Sequence, residues 1–198
     1  MLSLKESKIL DEILIANEAV DEARRTKKEL LIFKVDFEKA YDSVDLNYLD
    51  SVMVNMNFPT LWRKWISECV GTASASVLVN GCPTEEFPGL RQGDPLSPFL
   101  FLLVAKRFNQ LMNGVVGANF FKGYGVGRNN EVQLTHLQFA NDTLIIGEKN
   151  WLNVRSMRAV LLIFEELSGL KVNFHKSMLI GVNISDSWFA KVAFIMNY

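Results

Sequence analysis

Phe33-Lys34-Val35-Asp36-Phe37-Glu38-Lys39-Ala40-Tyr41-Asp42 is the stretch from which the fold can be read. It continues the apolar Leu30-Leu31-Ile32, so Leu30 to Val35 reads as a short buried strand ending at Asp36. An aspartate at the end of such a strand is exposed at the sheet edge while its backbone stays rigid. That suits a metal ligand, held in place with one side open. An aspartate that only caps the following turn has the same local pattern.

Upstream, residues 3–25 predict an amphipathic helix. Ser3 and Glu6 form a possible capping box, and Leu10, Ile13, Leu14 and Val20 fall near one face. Downstream, Asp45 can cap a helix through Met56, which Pro59 breaks. Leu61, Trp62, Trp65, Ile66 and Cys69 give a second helical face. Ala73 to Val79 alternates and meets Asn80-Gly81, a strong hairpin signal, with Thr84 to Phe87 as the return strand. Ser97-Pro98 reads as N-cap and first residue of a helix to about Asn113.

Glycines and asparagines from Gly114 to Asn130 mark a loop region. Glu131 to Gln138 and Thr143 to Gly147 read as strands around a tight connection at Ala140-Asn141. Asn150 can cap a helix ending at Ser168-Gly169. Lys171 to Phe174 and Met178 to Val182 are short strands, and a last helix starts near Ser185. Helices interleaved with antiparallel hairpins predict an α+β fold, a sheet with helices packed on one face.

Composition narrows the class. With 198 residues and 49% hydrophobic content, the chain can bury a real core and is not a disordered tail. The apolar run around Phe99 to Ala105 falls short of the roughly 18 residues of a membrane span, so no membrane partner is expected. The start shows no signal-peptide pattern. Cys69 and Cys82 lack a metal-site spacing and read as two reduced thiols, which predicts an intracellular protein of cytoplasm or nucleus. The net charge of −1 does not by itself suggest nucleic acid. The one dense basic cluster, Arg24, Arg25, Lys27 and Lys28, reads as a helix C-terminus.

Two further segments accompany the first. In Gly89-Leu90-Arg91-Gln92-Gly93-Asp94-Pro95-Leu96-Ser97-Pro98, Gly93 lets backbone approach a ligand closely and Gln92 can donate and accept hydrogen bonds. Alone, this is a loop leading into a helix. In Phe139-Ala140-Asn141-Asp142, two adjacent oxygen-bearing side chains on a tight turn can converge on one cation. Alone, this is an ordinary turn.

The order and spacing of the three together resemble the polymerase palm of reverse transcriptases. The wording is closest to plant LINE-type (non-LTR) retrotransposons, and Ser168 to Ser177 resembles the family's next segment. The resemblance covers roughly residues 8 to 185. It implies a reverse-transcriptase palm with core at about 30–182, reached from a fingers helix at 1–29 and followed by the start of a next region at 183–198. Fingers would be incomplete and a thumb absent. It implies RNA-directed DNA synthesis on an RNA template, with a DNA primer, dNTPs and two Mg²⁺ ions. Asp36 and Asp142 would be the catalytic, metal-holding carboxylates, with Asn141 beside them. Tyr41 matches the position under the incoming sugar that disfavours a 2′-hydroxyl. Phe37, Arg91, Gln92 and Gly93 fall in the substrate-lining segments, and Lys176 matches a lysine near the triphosphate.

The chain departs from the pattern at the turn, where the family has Phe/Tyr-Ala-Asp-Asp and this chain has Asn141. Pro88 alone stands where relatives carry a longer link before Gly89, and Lys106-Arg107-Phe108 replaces Ala-Glu-Gly-Leu-like residues. The resemblance implies that the rest of a retrotransposon polyprotein is missing. The expectation is an impaired polymerase domain, or else a non-enzymatic remnant that binds nucleic acid or a partner.

Overall fold

The computed structural model describes residues 3–38, 45–76, 78–85, 87–88, 96–127, 132–139 and 142–196, with main chain only at 3–13, 75, 78, 87–88, 139 and 142. Helix α1 (Ser3–Thr26) leads into strand β1 (Leu30–Glu38). Helices α2 (Leu46–Asn55) and α3 (Thr60–Gly71) follow, then four two-residue strands: β2 (Ser74–Ala75), β3 (Leu78–Val79), β4 (Cys82–Pro83) and β5 (Phe87–Pro88). Helix α4 (Ser97–Gly117) precedes β6 (Tyr124–Val126), β7 (Val132–Leu134), β8 (His136–Phe139) and β9 (Asp142–Glu148). Helix α5 (Trp151–Ser168), β10 (Lys171–Val172), β11 (Met178–Val182) and α6 (Asp186–Met196) complete the chain.

Five strands form one antiparallel sheet in the order β10, β1, β9, β8, with β11 also on β1. Strand β1 is central because it is apolar on both of its faces. Leu31, Phe33, Val35 and Phe37 join a large core with side chains of α2, α4, α5 and α6, among them Val52, Phe108, Phe164 and Val192. Leu30 and Ile32 point the other way, into a second cluster with Ala19 and Ala23 of α1, Tyr124, Ile146 and Val182. Helices α2 to α6 thus share one face as expected, whereas α1 lies across part of the other. Lys34 and Asp36, further along this face, are half-buried.

Several local expectations hold. Asp45 caps α2 by accepting from the Tyr48 amide at 2.8 Å, and Asn150 caps α5 by accepting from Leu152 at 2.9 Å. Gly169 ends α5 with φ +75°, a left-handed conformation that costs glycine least. Asn80 and Gly81 both have positive φ (52° and 82°), as a two-residue hairpin turn requires.

Other details differ. Strand β1 runs two residues past Asp36, because Phe37 and Glu38 pair with Val172 and Lys171. In α1, Leu14 is exposed and the inward stripe is Ala19, Glu22 and Ala23. Helix α3 buries Ile66 and Val70 but leaves Leu61, Trp62 and Trp65 more than half exposed. Its neighbour α2 reaches only a narrow stripe. The return strand expected at Thr84 to Phe87 is instead two short pieces, β4 and β5, with residues 84–86 between them. Ser97 is the first residue of α4 rather than its cap, and it is buried.

The segment read as a loop at Gly114 to Asn130 hides the end of α4 and strand β6. The expected strand at 131–138 breaks at Thr135, so that β7 pairs with β6 and β8 pairs with β9. Cys69 and Cys82 are exposed and unpaired. Arg24 and Arg25 occupy the last turn of α1, as the dipole favours. Among the described residues, no helix is long and apolar enough to cross a membrane.

His136 gives the fold a pH dependence. It packs edge-on against Phe108 with ring centroids 6.1 Å apart, and burial lowers its pKa from 6.5. The folded protein therefore resists protonating it while the unfolded chain does not. Its contribution to stability is complete above about pH 6.5 and is lost as pH falls towards the depressed folded value. The urea midpoint should drop between neutral pH and about pH 5, and His136→Gln should flatten that slope. An unchanged slope in His136→Gln would contradict this.

Candidate active site at the Asp36 end of the sheet

Asp36 sits where the second apolar layer ends. Its position in β1 is directly opposite Asp142 in β9, the last pair of a seven-residue ladder that starts at Leu30 and Glu148. Directly opposed positions of a pleated pair lie on the same face of the sheet. The type of pair can be deduced from the Asp36 main chain. Its amide donates to the Ser177 Oγ at 3.1 Å, and its carbonyl accepts from the Asn173 amide at 2.8 Å. Both groups therefore point away from β9, so Asp36 and Asp142 form a non-hydrogen-bonded pair. Such pairs have their Cα atoms only about 4.5 Å apart and their side-chain positions closest.

Two like charges directly opposite each other destabilise a sheet unless something neutralises them. A hard divalent cation, which takes oxygen ligands, would do so. The donor chemistry of the two positions therefore fits Mg²⁺. Among the described residues, no group of three or more His, Cys, Asp or Glu could hold a metal ion. Phe139 is paired with Asp142 across the β8–β9 hairpin, which leaves only Ala140 and Asn141 between the two strands.

A turn flanks Asp36 on its other side. Between Phe37 and Lys34, β1 has two residues; between their partners Val172 and Met178 there are five. The excess leaves the sheet as a turn at Phe174 to Lys176, closed by Lys176 and Ser177 amides donating to the Asn173 carbonyl at 3.1 and 2.8 Å. Lys176 is exposed on this turn, beside the Asp36 backbone. Ser177 is buried.

The predicted site residues thus separate. Asp36, Asp142 and Lys176 come to one end of the sheet. Phe37 does not join them: its ring is buried 5.5 Å from that of Phe164 and 6.5 Å from that of Phe101. Strand alternation puts it on the core face, which rules its side chain out of substrate contact. Asn141, Tyr41, Arg91, Gln92 and Gly93 lie outside the described residues. Sequence reasoning missed Asn173 and Ser177, whose only signal was their place in the segment Ser168 to Ser177. It also missed Lys34, which shares the face of Asp36 one pleat away.

Comparison with known proteins shows the family of the chain. The model of the family described as reverse transcriptase (RNA-dependent DNA polymerase) matches residues 3–184. The chain is 25% identical over 176 residues, 87% of its length, to a Pol polyprotein from the type-1 retrotransposable element R2 of Popillia japonica, covering 24% of that relative. It is 26% identical over 154 residues, 76% of its length, to the polyprotein of the type-2 element R2DM of Drosophila melanogaster, covering 14% of it. The chain therefore spans a quarter or less of these relatives. Among solved structures, an apo telomerase from Candida tropicalis, truncated from its C-terminal domain, superposes with a TM-score of 0.63 at 15% identity. That match covers 91% of this chain and 36% of the telomerase chain. At that identity the likeness is one of fold.

Proposed function

From the premise that this chain belongs to the reverse transcriptase (RNA-dependent DNA polymerase) family, among the LINE-type (non-LTR) retroelements, we propose that the Asp36 end of its sheet is a polymerase active site for RNA-templated dNTP addition. The observation that carries this reading is the pairing of Asp36 with Asp142 at the last register position of the β1–β9 ladder. Residues 30–182 form the palm core, α1 leads in from the fingers, and residues from 183 begin the next region. The wording of the three motifs supports a plant-type element.

In the reaction, the primer 3′-oxygen bonds to the α-phosphorus of the dNTP, pyrophosphate leaves, and the 3′-hydroxyl proton is lost. Bound Mg²⁺ would activate that hydroxyl and neutralise charge on the leaving phosphates. Asp36 and Asp142 hold and place the charge, and a rigid strand suits this because catalysis of phosphoryl transfer is mostly positioning. Lys176 offers a cation to the triphosphate. By the motif match, Tyr41 takes the role of disfavouring a 2′-hydroxyl on the incoming sugar, and Arg91, Gln92 and Gly93 that of contacting template and nucleotide.

Asn141 supplies an amide oxygen without a negative charge, so this chain's own synthesis is impaired. That residue also favours a second reading, a retroelement remnant that binds nucleic acid or a partner without chemistry. Binding of dNTP in the presence of Mg²⁺ separates the two. Fluorescent dNTP should bind the chain only with Mg²⁺, and Asp36→Asn should weaken binding by about tenfold or more. Binding that needs no Mg²⁺ or survives Asp36→Asn unchanged would refute the polymerase reading.

A further inference from the structure

We propose that Ser177 is a positioning residue for Asp36: its hydroxyl stands in for a missing strand carbonyl and fixes the backbone that carries the metal-holding carboxylate. The inference rests on the active-site reading above.

In an ordinary antiparallel ladder, Asp36 and its partner across the strand would exchange two main-chain hydrogen bonds. The partner on the β10–β11 side is Asn173, and only half of the exchange takes place. The Asn173 amide donates to the Asp36 carbonyl at 2.8 Å. The Asn173 carbonyl, which should accept from the Asp36 amide, is instead turned into the Phe174–Lys176 turn. There it accepts from the Lys176 and Ser177 amides at 3.1 and 2.8 Å. The Asp36 amide would be left without its acceptor at this break in the sheet, and the Ser177 Oγ fills the place at 3.1 Å.

Burial makes the arrangement specific, since Ser177 is only 2% exposed and water has little access to replace it. The Asn173 Oδ1 also accepts from the Lys176 amide at 3.2 Å, so the same turn holds the backbone of Lys176. One device therefore allows the strand to bulge, bringing a lysine to the site, without loosening the aspartate beside it. A backbone amide left unpaired at this point would let the Asp36 main chain open locally.

Two readouts test this on the whole chain without requiring polymerase activity. Amide hydrogen exchange at Asp36 should accelerate about a hundredfold in Ser177→Ala, and Ser177→Thr should restore most of the protection. Affinity for Mn²⁺, a hard cation that reports on oxygen ligands, should weaken about five- to tenfold in Ser177→Ala and recover in Ser177→Thr. Val192→Ala, a core truncation on α6, should lower thermal stability but leave Mn²⁺ affinity unchanged. If Ser177→Ala does not fold, Ser177→Cys, with its weaker acceptor, is expected to give the same two changes in smaller degree. Loss of Mn²⁺ binding in Asp36→Asn with Ser177→Ala equal to the native chain in both readouts would overturn the positioning role alone. Unchanged Mn²⁺ binding in Asp36→Asn would overturn the metal reading on which it rests.

Discussion

Replacing Asn141 by aspartate should raise RNA-templated primer extension by about a thousandfold. The argument is electrostatic. Asn141 directly precedes Asp142 in the chain, and Asp142 is paired with Asp36. An asparagine there can still offer an oxygen to a hard cation, but it adds no charge. A unit-charge contact at about 4 Å and an effective dielectric near 20 is worth about 4 kcal/mol. If that amount is absent where the transition state gathers negative charge, the rate falls by about three orders of magnitude. Single-turnover extension of a DNA primer on an RNA template measures the difference. Synthesis by the native chain that matches Asn141→Asp would sink the idea that this site is damaged. Asp36→Asn introduced together with Asn141→Asp should abolish the recovered activity, which ties the gain to the same cluster.

The second large effect concerns stability. Phe164 of α5 is 1% exposed and lies between two other rings. Its centroid is 5.5 Å from that of Phe37 on β1 and 5.3 Å from that of Phe108 on α4, the latter edge-on. It therefore joins the strand that carries Asp36 to two of the helices beneath it. Phe164→Ala should cost about 3–5 kcal/mol, the usual range for a fully buried phenylalanine. Part of this is lost transfer energy and part is the cavity left between β1, α4 and α5. A urea titration would show the loss as a lower midpoint with little change in slope. A cost below about 1 kcal/mol would mean that the core collapses around the gap and that Phe164 is not its keystone.

Much of the fold was legible because local chemistry and tertiary structure agree. Asp45, Asn150, Gly169 and Asn80-Gly81 mark helix and turn boundaries through bonds made within a few residues, so the chain's own pattern suffices to find them. Strand β11 was read at Met178 to Val182, as observed. Errors fell where a distant partner decides the outcome. Leu61, Trp62, Trp65, Ile66 and Cys69 read as one helical face, yet of these only Ile66 is buried, and Val70 joins it. Glycines disguised β6, because the strand exists only through its pairing with β7. Phe37 falls in a substrate-lining segment only because it adjoins Asp36 in the chain. Neighbours in a strand face opposite sides, and Phe37 belongs to the core.

For the site, the sequence by itself determined which residue types are available. It named Asp36 and Asp142 through two of three ordered motifs and Lys176 through the segment that follows them, and it carries an amide rather than a carboxylate at Asn141, because a carboxylate or its absence is a property of covalent structure. The tertiary structure alone decided that Asp36 stands opposite Asp142 and that their pair is the close, non-hydrogen-bonded kind. It also decided that a hydroxyl 141 residues away completes the Asp36 backbone. Register and strand pairing set each of these, and pairing joins residues that no local pattern connects.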